Sequence, residues 1–90
     1  MLTAAARKAL KAKAHKLDPV VHIGAKGMTD EVIAEIDRAL HAHELIKVRA
    51  ASLDRHAREQ AFGRIAEKTR AEPVQHIGKV FVLFRKKNDE

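Results

Sequence analysis

The run Val80-Phe81-Val82-Leu83-Phe84 is apolar at odd and even positions alike. A strand has two faces, and one that is apolar on both does not suit a sheet edge, so this run is read as an interior strand. It follows Gly78-Lys79, a two-residue loop with glycine in the first position, which is a hairpin signal. The other arm of that hairpin is 74–77, entered after Glu72-Pro73. The rest of the sheet has to come from upstream, out of segments that alternate with helices.

Taken in order, residues 2–15 are mostly Ala, Lys, Leu and Arg, without Gly or Pro, and predict a helix. At 100° per residue Leu2, Ala6, Ala9, Leu10, Ala14 and Leu17 fall on one arc, and Arg7, Lys8, Lys11 and His15 on another. Asp18-Pro19 ends it, because the residue before proline is pushed out of the helical region and Pro19 has no N–H to donate. A short apolar strand is expected over 20–23, then a glycine loop, then a helix from Thr29 as N-cap to about His43. That helix turns Val32, Ile33, Ile36, Ala39 and Leu40 to one side, with His43 on the same apolar arc. Residues 45–51 alternate as a strand, with Ile46, Val48 and Ala50 facing one way and Lys47 and Arg49 the other. Ser52 or Asp54 caps a third helix that runs to about Arg70, with Ala61, Phe62, Ile65, Ala66 and Thr69 inward. The order is therefore α-β-α-β-α-β-β, an α/β single compact domain over 1–87 with a mixed sheet, ending in a polar tail at 88–90.

Ninety residues leave room for one core, and it must be aliphatic, since Phe62, Phe81 and Phe84 are the only aromatic rings of the Phe, Trp and Tyr class. Eighteen Lys and Arg stand against twelve Asp and Glu, a formal charge of +6, which points to a polyanionic partner and first of all to nucleic acid. The lack of cysteine excludes disulfides and thiolate zinc sites and suits a reducing compartment. No apolar run reaches the length of a membrane span, and Arg7, Lys8, Lys11 and Lys13 interrupt any signal-peptide core, so a cytoplasmic protein without membrane attachment is expected.

Gly24-Ala25-Lys26-Gly27 sits between a strand and a helix start. It is either an ordinary turn or a small, bulk-free loop whose amides meet a phosphate while Lys26 adds charge. The Gly-Lys-Ser/Thr ending of a nucleotide-binding P-loop is missing. Residues 28–44 hold five acids and one base, so a polyanion should avoid the outer face of the helix after the loop. Arg7, Lys8, Lys11 and His15 form either a solvated stripe or a track for a sugar-phosphate backbone; Lys47, Arg49, Arg85, Lys86 and Lys87 extend it if they share its side. The six histidines lack the spacing of a metal set, and Ser52, Asp54 and His56 crowd a helix start where Ser and Asp are caps rather than a catalytic triad. No cofactor, small-molecule substrate or enzymatic role is expected.

Three segments, 17–27 (Leu17 to Gly27), 44–49 and 75–85, resemble in order and separation the CRM domain, named for chloroplast RNA splicing and ribosome maturation. The nearest form is the stand-alone bacterial YhbY family of ribosome-associated RNA-binding proteins. The resemblance implies a four-stranded sheet with packed helices, similar to the C-terminal domain of translation initiation factor three. It also implies that Gly24, Ala25, Lys26 and Gly27, likened to the Gly-x-x-Gly loop of KH domains, help hold RNA in precursors of the large ribosomal subunit. Arg7, Lys8, Lys11, Lys47, Arg49 and Arg85 are expected to support that contact. With few rings for stacking, recognition should rest on RNA shape and phosphates. The protein is expected to act as a monomer on ribosomal particles; a module that docks on ribosomal proteins through the acidic helix is the alternative.

Overall fold

Thr3, Thr29 and Asp54 each accept a hydrogen bond from the backbone N–H three residues ahead, at 3.0, 3.1 and 2.8 Å, and a helix begins behind each one. The computed structural model describes residues 2–87; the tail expected at 88–90 lies outside the described residues. The elements are α1 (Ala4–Ala14), β1 (Val21–His22), α2 (Asp30–His43), β2 (Leu45–Arg49), α3 (Arg55–Thr69), β3 (Glu72–Ile77) and β4 (Val80–Phe84). The expected α-β-α-β-α-β-β order is found, with β1 shorter than the four residues predicted and β3 longer.

The sheet order is β1-β2-β4-β3, with β1 parallel to β2 and β4 antiparallel to both β2 and β3. The all-apolar strand is thus interior, with neighbours on both sides. α2 and α3 cover one face: Ile36, Leu40, Ala61 and Ile65 pack on Val21, Ile46, Val48, Phe81 and Leu83. α1 lies on the other, where Ala14, Leu2 and Leu10 meet Val74, Val82, Leu45 and Phe84. Alternation along β4 therefore serves two cores, with Phe81 and Leu83 in the larger and Val82 in the smaller. Burial at about 25 cal/mol per Å² of apolar surface is what holds both layers on the sheet.

The hairpin turn has φ +55 at Gly78 and no positive φ at Lys79, which fits a type II′ loop. It is pinned by His76, whose ring meets Phe81 edge-on at 4.9 Å and whose Nε2–H donates to the Gly78 carbonyl at 3.1 Å. β3 carries a bulge between Pro73 and Gln75, so Val74 and Gln75 both face the α1 side.

Two helix-face expectations are corrected. Arg7 does not stand in the exposed stripe: seven residues return a helix to within about 20° of the same direction, so Arg7 lies in line with buried Ala14 and is half-buried. Its Nε is enclosed and has no hydrogen-bond partner among the described residues. His43, expected on the packed side of α2, is exposed at the helix end.

Candidate nucleic-acid interface

β1 ends where the Ile23 N–H donates to the Arg49 carbonyl at 2.8 Å. The chain then turns back on itself, the Gly27 N–H donating to the Gly24 carbonyl at 2.9 Å, so that Ala25 and Lys26 form the corners of a four-residue turn. Gly27 has φ +72, a left-handed conformation that favours glycine. Gly24 is different. Its φ lies outside that region, and a Cβ built on it meets nothing within 4 Å.

Ser52 holds the loop from below. Its Oγ lies 2.8 Å from both the Ile23 and the Gly24 carbonyl, with one proton to share between them. Of the two helix caps offered by the sequence, Asp54 is the one used, and Ser52 is a clamp on the glycine turn instead. Replacing Ser52 by Ala should cost about 1 kcal/mol of stability and speed amide exchange in 24–27, read by urea unfolding and hydrogen exchange. Unchanged exchange would show that the turn is rigid by itself.

The glycine turn, the 50–54 connection and the β3–β4 hairpin meet at one end of the sheet, where the Ala50 N–H donates to the Lys79 carbonyl at 2.7 Å. The two flanks of this end differ in charge. On the α2 side the turn borders a groove of about 470 Å³ that contains Glu31 and Glu35. On the α1 side His22 pairs across the strands with Arg49, and both are exposed. Lys47 stands two residues back on the same face, and Lys11 and His15 from α1 line a groove with it. Lys8 is exposed one turn earlier on α1. Lys11, Lys47 and Arg49 are thus brought to one end and one side, with Lys8 beside them, while Lys26 stands at the same end in the turn that lines the groove with Glu31 and Glu35.

Arg85 has another place. It follows β4 at the far end of the sheet, roughly 15 Å from the turn at about 3.3 Å per residue, and its side chain enters the α2–α3 side. Nη1 donates to Asp37 Oδ1 at 2.6 Å and to the Thr69 carbonyl at 2.8 Å, and Nη2 donates to the Asp37 carbonyl at 3.1 Å. It ties α2 to the end of α3, with 24% of its side chain accessible. Arg85 and Lys47 therefore do not share a side, and the basic surface expected to join them is divided. Ser52, His22 and Lys79 were missed as parts of the loop end; alternation with Val21 and Ile23 is the signal that would have shown His22. Among the described residues no group of three or more His, Cys, Asp or Glu is placed to hold a metal ion, and no helix is long and apolar enough to cross a membrane.

Comparison with known proteins agrees with this architecture. A Haemophilus influenzae protein named RNA-binding protein is 47% identical over 76 residues, covering 84% of this chain and 77% of its own length. The Bacillus subtilis protein named Probable RNA-binding protein YqeI is 33% identical over 89 residues, 99% of this chain and 93% of the relative. The solution structure of the Staphylococcus aureus hypothetical protein SAV1595, for which RNA binding has been put forward, superposes with a TM-score of 0.86 at 34% identity over 99% of this chain and 93% of that one. The model of the CRS1 / YhbY (CRM) domain matches residues 2–85, nearly all that the structure describes, and the chain belongs to that family.

Proposed function

We propose that this protein binds RNA through its sugar-phosphate backbone at the Gly24–Gly27 turn, with Lys26 at the contact and Lys8, Lys11, Lys47 and Arg49 as the flanking cations. The observation that carries the reading is Gly24. Its backbone is open to any residue and there is room for a side chain, so the fold itself has no need of a bare Cα there; a ligand backbone passing close against the turn does. The Ala25 and Lys26 amides have no acceptor among the described residues and are available to phosphate oxygens. Glu31 and Glu35 repel a phosphate on the α2 flank, so the RNA approaches from the α1 flank. Arg7 and Arg85 are left out of the contact, Arg7 being half-buried and Arg85 half-buried and tied to Asp37 and Thr69.

No Phe ring is exposed, since Phe81 is fully buried and Phe62 and Phe84 partly so, and phosphate contacts rather than ring stacking dominate affinity. The relatives' names support RNA as the partner. The likeness to ribosome-associated family members supports the narrower reading: a monomeric, cytoplasmic, non-enzymatic factor that acts on large-subunit ribosomal RNA or its precursors during assembly. With five cations displacing counterions at about 0.7 each, log affinity should fall against log salt with a slope of about −3.5. A flat salt response in a filter-binding titration would remove the phosphate track. Co-sedimentation with subunit precursors tests the ribosomal reading. Crosslinking after RNase treatment tests the alternative, in which the exposed acids of α2 meet a ribosomal protein: that contact survives loss of the RNA.

A further inference from the structure

The strand registers place His22, Arg49, Val80 and Ile77 in one row across all four strands, on the α1 side and at the loop end of the sheet. α1 crosses the sheet further back, over Val82 and Phe84, and leaves His22, Arg49 and Ile77 exposed and Val80 half-buried. Half of the row is polar, His22 and Arg49, and half aliphatic, Val80 and Ile77. Ile77 is 60% exposed, the most exposed large hydrophobic residue described. It forms, with Val80 and Val82, the aliphatic floor of a groove of about 220 Å³. Lys11 and His15 rise from α1 on one side of that floor, Lys47 stands on another, and Gln75 offers an amide at its edge.

We infer that this groove takes one unpaired nucleotide, its base laid on Ile77 and Val80 and its phosphate between Lys11 and Lys47. The inference rests on the RNA reading above and adds to it a preference for RNA with an extruded base next to a paired stem. Four features select this occupant. No carboxylate lines the groove, and its charged side chains, Lys11 and Lys47, are both cationic. Its volume is below the roughly 300–1,000 Å³ of pockets that enclose a drug-sized ligand, and suits a single flat ring. Gln75 can donate to and accept from a base edge, as a purely apolar peptide contact would not need. The groove also borders the Arg49 and His22 end of the row, since Val80 pairs with Arg49, and the Ile23–Arg49 hydrogen bond brings that end beside the glycine turn, so a strand gripped at 24–27 has a short way to it. His15 supplies the ring that the Phe residues, all within the fold, do not.

The test uses the full chain and two RNA hairpins of one sequence, one with a single bulged 2-aminopurine and one fully paired. The wild type should bind the bulged hairpin more tightly, and the Ile77 methyl resonances should move upfield only with that RNA. Ile77→Ser should weaken the bulged complex about five- to tenfold and leave the paired complex unchanged; Ile77 is exposed on an edge strand, so the fold persists. Lys26→Glu should weaken both. Equal affinity of Ile77→Ser and wild type for both hairpins, with unmoved Ile77 methyls, overturns the nucleotide groove and leaves the face to a protein partner, while the loss in Lys26→Glu keeps the RNA reading intact. Failure of the wild type to bind either hairpin overturns both.

Discussion

Lys26→Glu is expected to lower RNA affinity about 10- to 100-fold without unfolding the protein. A charge-assisted hydrogen bond to phosphate contributes about 1.5–3 kcal/mol, and each 1.4 kcal/mol is a factor of about ten in affinity. Reversal adds repulsion to the loss, beside Glu31 and Glu35 that already border the turn. The fold has little at stake, since Lys26 is exposed at a turn corner and surface substitutions of this kind usually change stability by less than about 0.5 kcal/mol. Gly27→Asp should act in the same direction with an added backbone term. At φ +72 an Asp side chain is strained, though Asp and Asn tolerate this region better than most, and a Cβ there stands 3.8 Å from Leu53, an ordinary contact. Gly27→Asn carries the same strain without the charge and separates the two effects. Affinities and thermal unfolding of the three variants decide the matter: a folded Lys26→Glu protein with wild-type affinity would take the turn out of the interface.

Phe81→Ala should cost about 3–5 kcal/mol, much of the roughly 5–13 kcal/mol expected for a chain of this length. Phe81 is fully buried in the interior strand, and its ring meets Phe62 at 5.0 Å and His76 at 4.9 Å. Truncation removes the central member of that cluster and leaves a void beneath α3. It also loosens the hairpin, because His76 pins the Gly78 turn while resting on Phe81. At about 4–8 °C per kcal/mol for a small domain, the melting temperature should drop by about 12–40 °C. Urea unfolding should show a lower midpoint at unchanged slope, with Phe81→Leu losing far less. A small loss for Phe81→Ala would mean that the α2–α3 layer is held elsewhere.

The elements were legible where a residue's partners are near in sequence or where burial is total. Val80–Phe84 declared its interior position because apolar side chains on both faces admit few other settings, and Thr29 marked its helix because a cap acts within three residues. What depends on distant neighbours was not legible. Ser52 looked like a cap, and only the approach of β1 to the β2 exit gives its hydroxyl two carbonyls 28 and 29 residues away. Arg85 looked like one more surface cation, because charge counts do not say on which side of a sheet a side chain leaves or that Asp37 waits 48 residues upstream. Arg7 was misread for a local reason, a helical angle near the boundary between two arcs. The open row of His22, Arg49, Val80 and Ile77 needs the strand order, in which β4 inserts between β2 and β3, and no short-range pattern encodes that insertion.

The bulge in β3 bears on how this protein behaves in crowds. A sheet rim with free N–H and C=O groups invites a second copy to add its own strand, and a basic protein gathered along an RNA reaches high local concentration. Both rims are blunted. β1 offers two residues, closed in by Pro19 and the glycine turn, and β3 presents Pro73, which has no N–H, followed at once by the bulge that breaks the repeat a docking strand would need. Copies can therefore crowd on one RNA, exposed Ile77 included, without zipping into mixed sheets. Straightening β3 by deleting Val74 would be the change most apt to turn crowding into aggregation.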